Sequence, residues 1–193
     1  PIQVAIVPIY KGEEQLAAVS EVALKFKSEL EAKGISVKYD DDDNRKPGWK
    51  FAEYEMKGVP VRIALGQRDI ENGTVEVARR DTLSKEVVQQ AGVVDYVAQL
   101  MIDIQENLLN RNKEFVKEKT SSVDTWEEFQ DVIENKGGFV SAHWDGTSES
   151  ELKIKELTKA TIRCIPFDSK EESGKCVFSG NPSLRRVLFA KAY

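Results

Sequence analysis

The chain alternates short unbroken apolar runs with longer stretches in which apolar residues recur every three or four positions. Residues 2–9, IQVAIVPI, form a continuous run rich in β-branched side chains and predict a buried strand. Leu16, Val19, Ala23, Phe26 and Leu30 then draw one apolar stripe along a helix, and Gly34 stands where a C-terminal cap belongs. Residues 35–39 read as a second strand; a strand–helix–strand unit of this length predicts parallel pairing through a right-handed crossover. Pro47 suits the first turn of a helix that stops at Gly58, and residues 59–65 read as a third strand. Residues 74–79 alternate cleanly, with Val75, Val77 and Arg79 on one face and Thr74, Glu76 and Ala78 on the other. A turn at 80–84 brings residues 85–88 back as a hairpin. From Val93 a long helix carries Val94, Val97, Met101, Ile104 and Leu108 on one side, with Phe115 further along. The order of elements predicts one α/β domain with a mixed sheet over residues 1–112.

Residues 113–123 turn polar and predict a linker or helix end. Asp124 or Thr125 then caps a helix bearing Trp126, Phe129 and Ile133, which Gly137 and Gly138 end. A strand over 139–144, a helix over 149–157 and a strand over 160–166 follow. A polar loop at 168–175 leads to Cys176-Val177-Phe178 and the closing LRRVLFAKAY. Residues 124–193 make a second, small α/β unit.

Composition narrows the class. Of the 193 residues 40% are hydrophobic and 32% charged, which supports a packed core under a polar surface. No apolar run nears the roughly 20 residues of a membrane span, and the first apolar segment lacks the basic flank of a signal peptide. Cys164 and Cys176 make no disulfide framework, so a reducing cytoplasm is expected. A chain that enters a strand directly after Pro1 is expected to be a piece of a longer protein. The net charge of −5 argues against a polyanion partner, yet residues 44–80 hold 8 basic and 5 acidic groups, a local +3.

The chemistry on offer is sparse. His143, the single histidine, stands in a strand-like context that suits packing better than catalysis, and no nucleophile elbow, phosphate-binding glycine loop or paired-histidine motif is present. Asp40 to Asp43 could draw Mg²⁺, but four acids after a strand more simply make a solvated loop that caps the next helix. Zinc needs four ligands in two close pairs; Cys164 and Cys176 lie twelve apart, with only His143 and Asp145 to complete a set. The third strand, its turn and the hairpin present Arg62, Arg68, Arg79 and Arg80, with Lys50 and Lys57 upstream and Glu55 and Asp69 among them. Carboxylates between arginines hold phosphates poorly but suit base edges. A guanine offers N1–H and N2–H₂ to a carboxylate and O6 and N7 to an arginine. Trp49, Phe51 and Tyr54 could stack bases, although their helical spacing predicts core packing for at least two. These residues alone leave an RNA face and a salt-bridged sheet edge both open.

The runs PIQVAIVPIY, DDDDNRKPGWKFAEYEMKGVPVRIALGQRD, VARRDT, IQENLL, ATIRCIPF and LFAKAY resemble the C-terminal part of prolyl-tRNA synthetases of the archaeal/eukaryotic-like type, from Pro1 to Tyr193. The resemblance implies a class II anticodon-binding domain, with a five-stranded mixed sheet and flanking helices, followed by a small C-terminal α/β domain. It implies a cytoplasmic, homodimeric parent enzyme that joins proline to tRNA(Pro) with ATP and Mg²⁺, and a chain that is inactive without its catalytic domain. Glu55, Arg62, Arg68 and Asp69 match guanine contacts in that family, and Arg79, Arg80 and Lys50 weaker backbone or loop contacts. The family's four zinc-ligand positions read Asp145, Ser150, Cys176 and Ser179, so the second unit is expected to hold its shape by packing of Trp144, Ile162, Ile165, Phe178 and Leu188. Tyr193 matches a terminal tyrosine that folds back toward the catalytic domain. The rival expectation is a protein-interaction module that has kept the fold and lost RNA.

Overall fold

The computed structural model describes residues 1–192, which places Tyr193 outside the described residues. The chain forms two compact units, residues 1–110 and 111–193. In unit 1 the elements run β1 Val4–Ile9, α1 Glu13–Ala32, β2 Val37–Tyr39, α2 Pro47–Met56, β3 Val61–Gly66, α3 Gln67–Asn72, β4 Thr74–Arg79, β5 Lys85–Gln89 and the greater part of α4 Val93–Glu118, which ends in unit 2. The five strands make one mixed sheet in the order β2-β1-β3-β4-β5. β1 pairs in parallel with β2 and β3, while β3, β4 and β5 are successively antiparallel. The α/β class and the five-stranded mixed sheet are those expected.

One face of this sheet holds the main core. Val4, Ile6, Val61, Ile63, Leu65, Val75 and Val77 meet Val19, Ala23, Phe26 and Leu30 of α1 and Val93, Val97, Leu100 and Ile104 of α4. The stripe read from α1 is the buried one, each large side chain contributing roughly 1.5–3 kcal/mol on burial. The opposite face is covered more thinly, by α2, whose Phe51 and Tyr54 pack on Ala5, Val7 and Val59. The tight Gly-x-Arg-Asp turn after β3 is a short helix, α3, closed by Gly73 at φ +63°.

Unit 2 contains β6 Thr120–Ser122, α5 Trp126–Asp131, a π-helical turn Val132–Lys136, β7 Phe139–His143, α6 Ser148–Thr158, β8 Ala160–Cys164, β9 Gly174–Lys175, β10 Pro182–Ser183 and β11 Arg186–Lys191. Its main sheet runs β6-β7-β11-β8. The stretch at 113–123, expected as a linker or helix end, carries α4 on to Glu118 and then pairs as β6 in parallel with β7. Thr125 caps α5 in a capping box with Glu128. Phe129 stacks on Trp126 and meets Phe189 edge-on, at ring distances of 5.3 and 5.1 Å. Two packing expectations are corrected. Ile165 lies beyond the end of β8 and is 46% exposed, and the inward phase of β11 belongs to Val187 and Phe189 rather than Leu188. A strand's two faces alternate residue by residue, so a choice of phase displaced by one inverts the whole assignment.

Candidate nucleic-acid interface

Period-two alternation in β3 sends Val61, Ile63 and Leu65 into the main core and turns Arg62 to the face that α2 covers. There Arg62 is 5% exposed. Its Nη1 donates to Glu76 Oε1 at 3.2 Å; Glu76 stands opposite Ala64 on β4, hence diagonal to Arg62 on the same face. The guanidinium lies over the Phe51 ring, 3.6 Å from its centroid. Its other terminal nitrogen, Nη2, is buried without a hydrogen-bond partner, alone in this respect among the side-chain nitrogens and oxygens of the described residues. A buried donor left unmade costs about 1–3 kcal/mol, more when it carries charge.

Arg62 lines a cavity of approximately 20 Å³ with Phe51, Glu55, Arg79, Arg80 and Leu83. Glu55 is exposed near the end of α2, and its backbone carbonyl accepts from Arg80 Nε at 2.7 Å. A cation at this terminus also suits the helix dipole. The Arg80 amide donates to Pro60 O at 2.9 Å, tying the hairpin turn beside α2. Arg79 is committed elsewhere. Its Nε and Nη2 grip Asp81 at 2.8 and 2.6 Å, and Asn107 of α4 donates to the same carboxylate at 2.7 Å. The hydrogen bond from Arg79, with a further one from Asn107, holds the Asp81 carboxyl down at about 2.

Arg68 and Asp69 are not in this group. They belong to α3, beyond the other end of β3, and Gly66 is four residues from Arg62, a separation of about 13 Å along a strand. Arg68 is exposed, and Asp69 Oδ2 accepts from the Gly66 amide at 2.9 Å, one arm of a capping arrangement that leaves its other oxygen outside that bond. A Cβ at Gly66 would sit 3.3 Å from Ile9 O and 3.5 Å from that same Asp69 oxygen, so glycine lets α3 start hard against β1.

Two expectations upstream change. Lys50, taken from the sequence as a weak RNA contact, is 2% exposed, and its ammonium donates to Asp40 O at 2.8 Å and meets Asp40 Oδ1 at 3.2 Å. It ties α2 to the acidic loop and turns no charge outward. The Asp run does not cap α2 either: Lys46 is the N-cap residue and makes no side-chain cap. Asp40 instead braces the helix from its side, taking the Tyr54 hydroxyl at 2.8 Å, while Asp42 closes a local turn through Asn44. Burial, with that bond to Asp40, pushes the Tyr54 hydroxyl above its ordinary range. Among the three aromatics Trp49 faces outward, 46% exposed beneath Arg45. Phe51 as an arginine platform and Glu76 as its anchor were not singled out from the sequence. The alternation of β4 already put Glu76 on its polar face, and that was the available signal.

In unit 2 three of the four positions matching zinc ligands, Asp145, Ser150 and Ser179, are joined by hydrogen bonds. Asp145 Oδ1 accepts from Ser150 Oγ at 2.6 Å and from the Thr147 amide and hydroxyl at 3.0 and 2.8 Å. Its Oδ2 accepts from Ser179 Oγ at 2.5 Å and Asn181 Nδ2 at 3.4 Å. Burial pushes this carboxyl up, but the bonds from Ser150, Ser179 and Thr147 outweigh it and hold the group well below the usual range. Cys176 is buried on the same loop as Ser179. His143 is buried too, with Nδ1 3.1 Å from Ser183 Oγ and Nε2 3.4 Å from Glu172.

Residues 3–100 match the family described as the anticodon binding domain, and residues 126–193 the family described as prolyl-tRNA synthetase, C-terminal. The whole chain aligns with proline–tRNA ligases of Christiangramia forsetii and Porphyromonas gingivalis, each 59% identical, and of Bacteroides fragilis, 52% identical. It covers 39% of the length of each of these relatives. The expected archaeal/eukaryotic-like affiliation is not borne out, since these relatives are bacterial. With both of its units matched in order, the chain belongs to the prolyl-tRNA synthetase family, as an anticodon-binding domain followed by the family's C-terminal domain.

Proposed function

We propose that unit 1 reads the anticodon of tRNA(Pro), within a cytoplasmic, homodimeric protein that joins proline to that tRNA. The observation that carries this reading is the buried, unpartnered Nη2 of Arg62, a residue that lines one cavity with the exposed Glu55. Proline codons begin with two cytosines, so the anticodon ends in two guanines. Glu55 with Arg62 makes one acceptor–donor group, and Asp69 with Arg68, at the far end of β3, makes a second. A carboxylate takes the guanine N1–H and N2–H₂ donors and an arginine gives to O6 or N7. Arg80 supplies a solvent-facing charge for the backbone. Arg79 and Lys50, engaged by Asp81 and Asp40, hold the scaffold instead of the RNA.

The ligation chemistry, with its ATP and Mg²⁺, is assigned to no residue of this chain. Among the described residues no cluster of three or more His, Cys, Asp or Glu side chains is arranged to hold a metal ion, and no helix is long and apolar enough to cross a membrane.

Binding of tRNA(Pro) transcripts to this chain, with the second or third anticodon base changed, tests the reading. Each change is expected to cost about tenfold or more, as loss of a specific base contact does. Equal affinity for all transcripts would overturn base reading and leave the protein-interaction module. Arg80→Ala should weaken every transcript alike and flatten the salt dependence by about one unit of slope.

A further inference from the structure

Arginine is a flexible side chain, and a base-reading guanidinium is useful only if its donors are already aimed. Two neighbours do this for Arg62. The Phe51 ring, 3.6 Å from the guanidinium carbon, fixes the plane of the group. Glu76, at 3.2 Å from Nη1, fixes its rotation within that plane. With plane and rotation both set, the donor that is buried without a partner is Nη2, and Arg62 lines the cavity between α2 and the hairpin turn. Glu76 also neutralises the arginine locally, which suits a contact with a neutral base edge better than one with a phosphate.

We infer that Phe51 and Glu76 are positioning residues for guanine recognition, presenting Arg62 Nη2 to the O6 of an anticodon base. The inference rests on the reading of unit 1 as an anticodon reader, and it adds that discrimination depends on two residues that need not touch the RNA. A packing role alone would lower affinity for all RNAs by the same factor, through the folded fraction. A positioning role lowers the ratio between right and wrong bases.

The experiment measures that ratio for wild type, Phe51→Leu, Phe51→Tyr and Glu76→Gln, using tRNA(Pro) transcripts with guanine or adenine at each of the last two anticodon positions. Adenine replaces the O6 acceptor with an amino donor. At one of the two positions Phe51→Leu and Glu76→Gln should each reduce discrimination about tenfold, the range of one mismatched base. Phe51→Tyr, which keeps the ring, should restore it. If wild type discriminates and both variants discriminate equally well, this inference is overturned while anticodon reading stands. If wild type itself shows no discrimination, anticodon reading fails and this inference with it. Far-UV circular dichroism of each variant confirms that the compared chains are folded.

Discussion

Arg62 in unit 1, buried, and Asp145 in unit 2, part-buried, are both charged groups engaged by the protein, and their surroundings treat them in opposite ways. Asp145 receives five donors, three on one oxygen and two on the other. Arg62 has one carboxylate, one aromatic ring and a buried nitrogen with nothing to donate to. A withdrawn charge is tolerated when every lone pair or proton is matched, and it then acts as structure. A withdrawn charge left incomplete is a cost that folding alone does not explain, and such incompleteness gathers where a ligand will supply the missing partner. Asp145 thus behaves as a loop-closing centre. Arg62 behaves as a donor held in reserve.

The comparison breaks first, and with the largest effect, at Asp145. Asp145→Ala removes the common acceptor of Ser150, Ser179, Thr147 and Asn181 and strands several donors together. Unit 2 is expected to lose about 3 kcal/mol, less than the separate hydrogen bonds to a carboxylate would sum to, because Asp145 and most of its donors keep contact with water. Amide exchange in β7 and β11 would register this as faster opening; unchanged exchange there would mean the hydrogen bonds are ornament. The pH dependence has a definite sign. Because the folded carboxyl is held below its ordinary 3.8, its contribution is present above that value and is lost as pH falls below it. The gap between wild type and Asp145→Ala should therefore close on acidification.

A smaller effect is expected at Asp81, a satisfied charge in the same unit as the unsatisfied one. Its side chain is 1% exposed, gripped twice by Arg79 and once by Asn107. Asp81→Asn should cost unit 1 about 2 kcal/mol by leaving Arg79 without its counter-charge. With the folded carboxyl at about 2 against an ordinary 3.8, wild type should lose this stabilisation as pH falls through that interval, and Asp81→Asn should not. Thermal unfolding at pH 7 and pH 2.5 measures both. Equal pH dependence in the two chains would remove Asp81 from the class of structural charges.

These contrasts also separate what was legible in the sequence from what was not. The sheet of unit 1 was legible because its strands are continuous β-branched runs and its helices carry clean stripes, so burial and periodicity agree. Glu55, Arg62, Arg68 and Asp69 were singled out together through the family's sequence pattern. Their division into two groups was not legible, because it depends on Arg62 and α3 lying at opposite ends of β3. Lys50 was misread since a lysine in a basic stretch gives no sign that an aspartate ten positions earlier will bury it. Leu188 was misread because LRRVLFAKAY fits a strand in either phase, and only the partners of β11 decide between Val187 and Leu188. The Asp145 network was invisible for a similar reason. Its donors come from the start of α6 and from the turn that holds Ser179, a stretch of chain apart in sequence.

The smallest expected effect on stability is the sharpest test of the contrast, and it falls on Arg62. Arg62→Met keeps an unbranched side chain over Phe51 and removes the unpartnered Nη2 with its charge. What is lost is one ion pair to a carboxylate that is 35% exposed, a pairing of about 0.5–1 kcal/mol, together with a cation–π contact of similar size. What is removed is a buried donor costing about 1–3 kcal/mol. The two nearly cancel, so urea unfolding should place Arg62→Met within about 1 kcal/mol of wild type, on either side. Asp81→Asn, which subtracts a charge whose bonds are complete, should fall clearly below both. Over the same pair of variants RNA recognition should rank the other way, with Arg62→Met losing discrimination between guanine and adenine and Asp81→Asn retaining it once folded. A site kept for a ligand is expected to trade stability for function in this manner. If Arg62→Met unfolds as readily as Asp81→Asn, then the structure depends on Arg62 as it does on Asp81, and its open nitrogen is no reserve for a base.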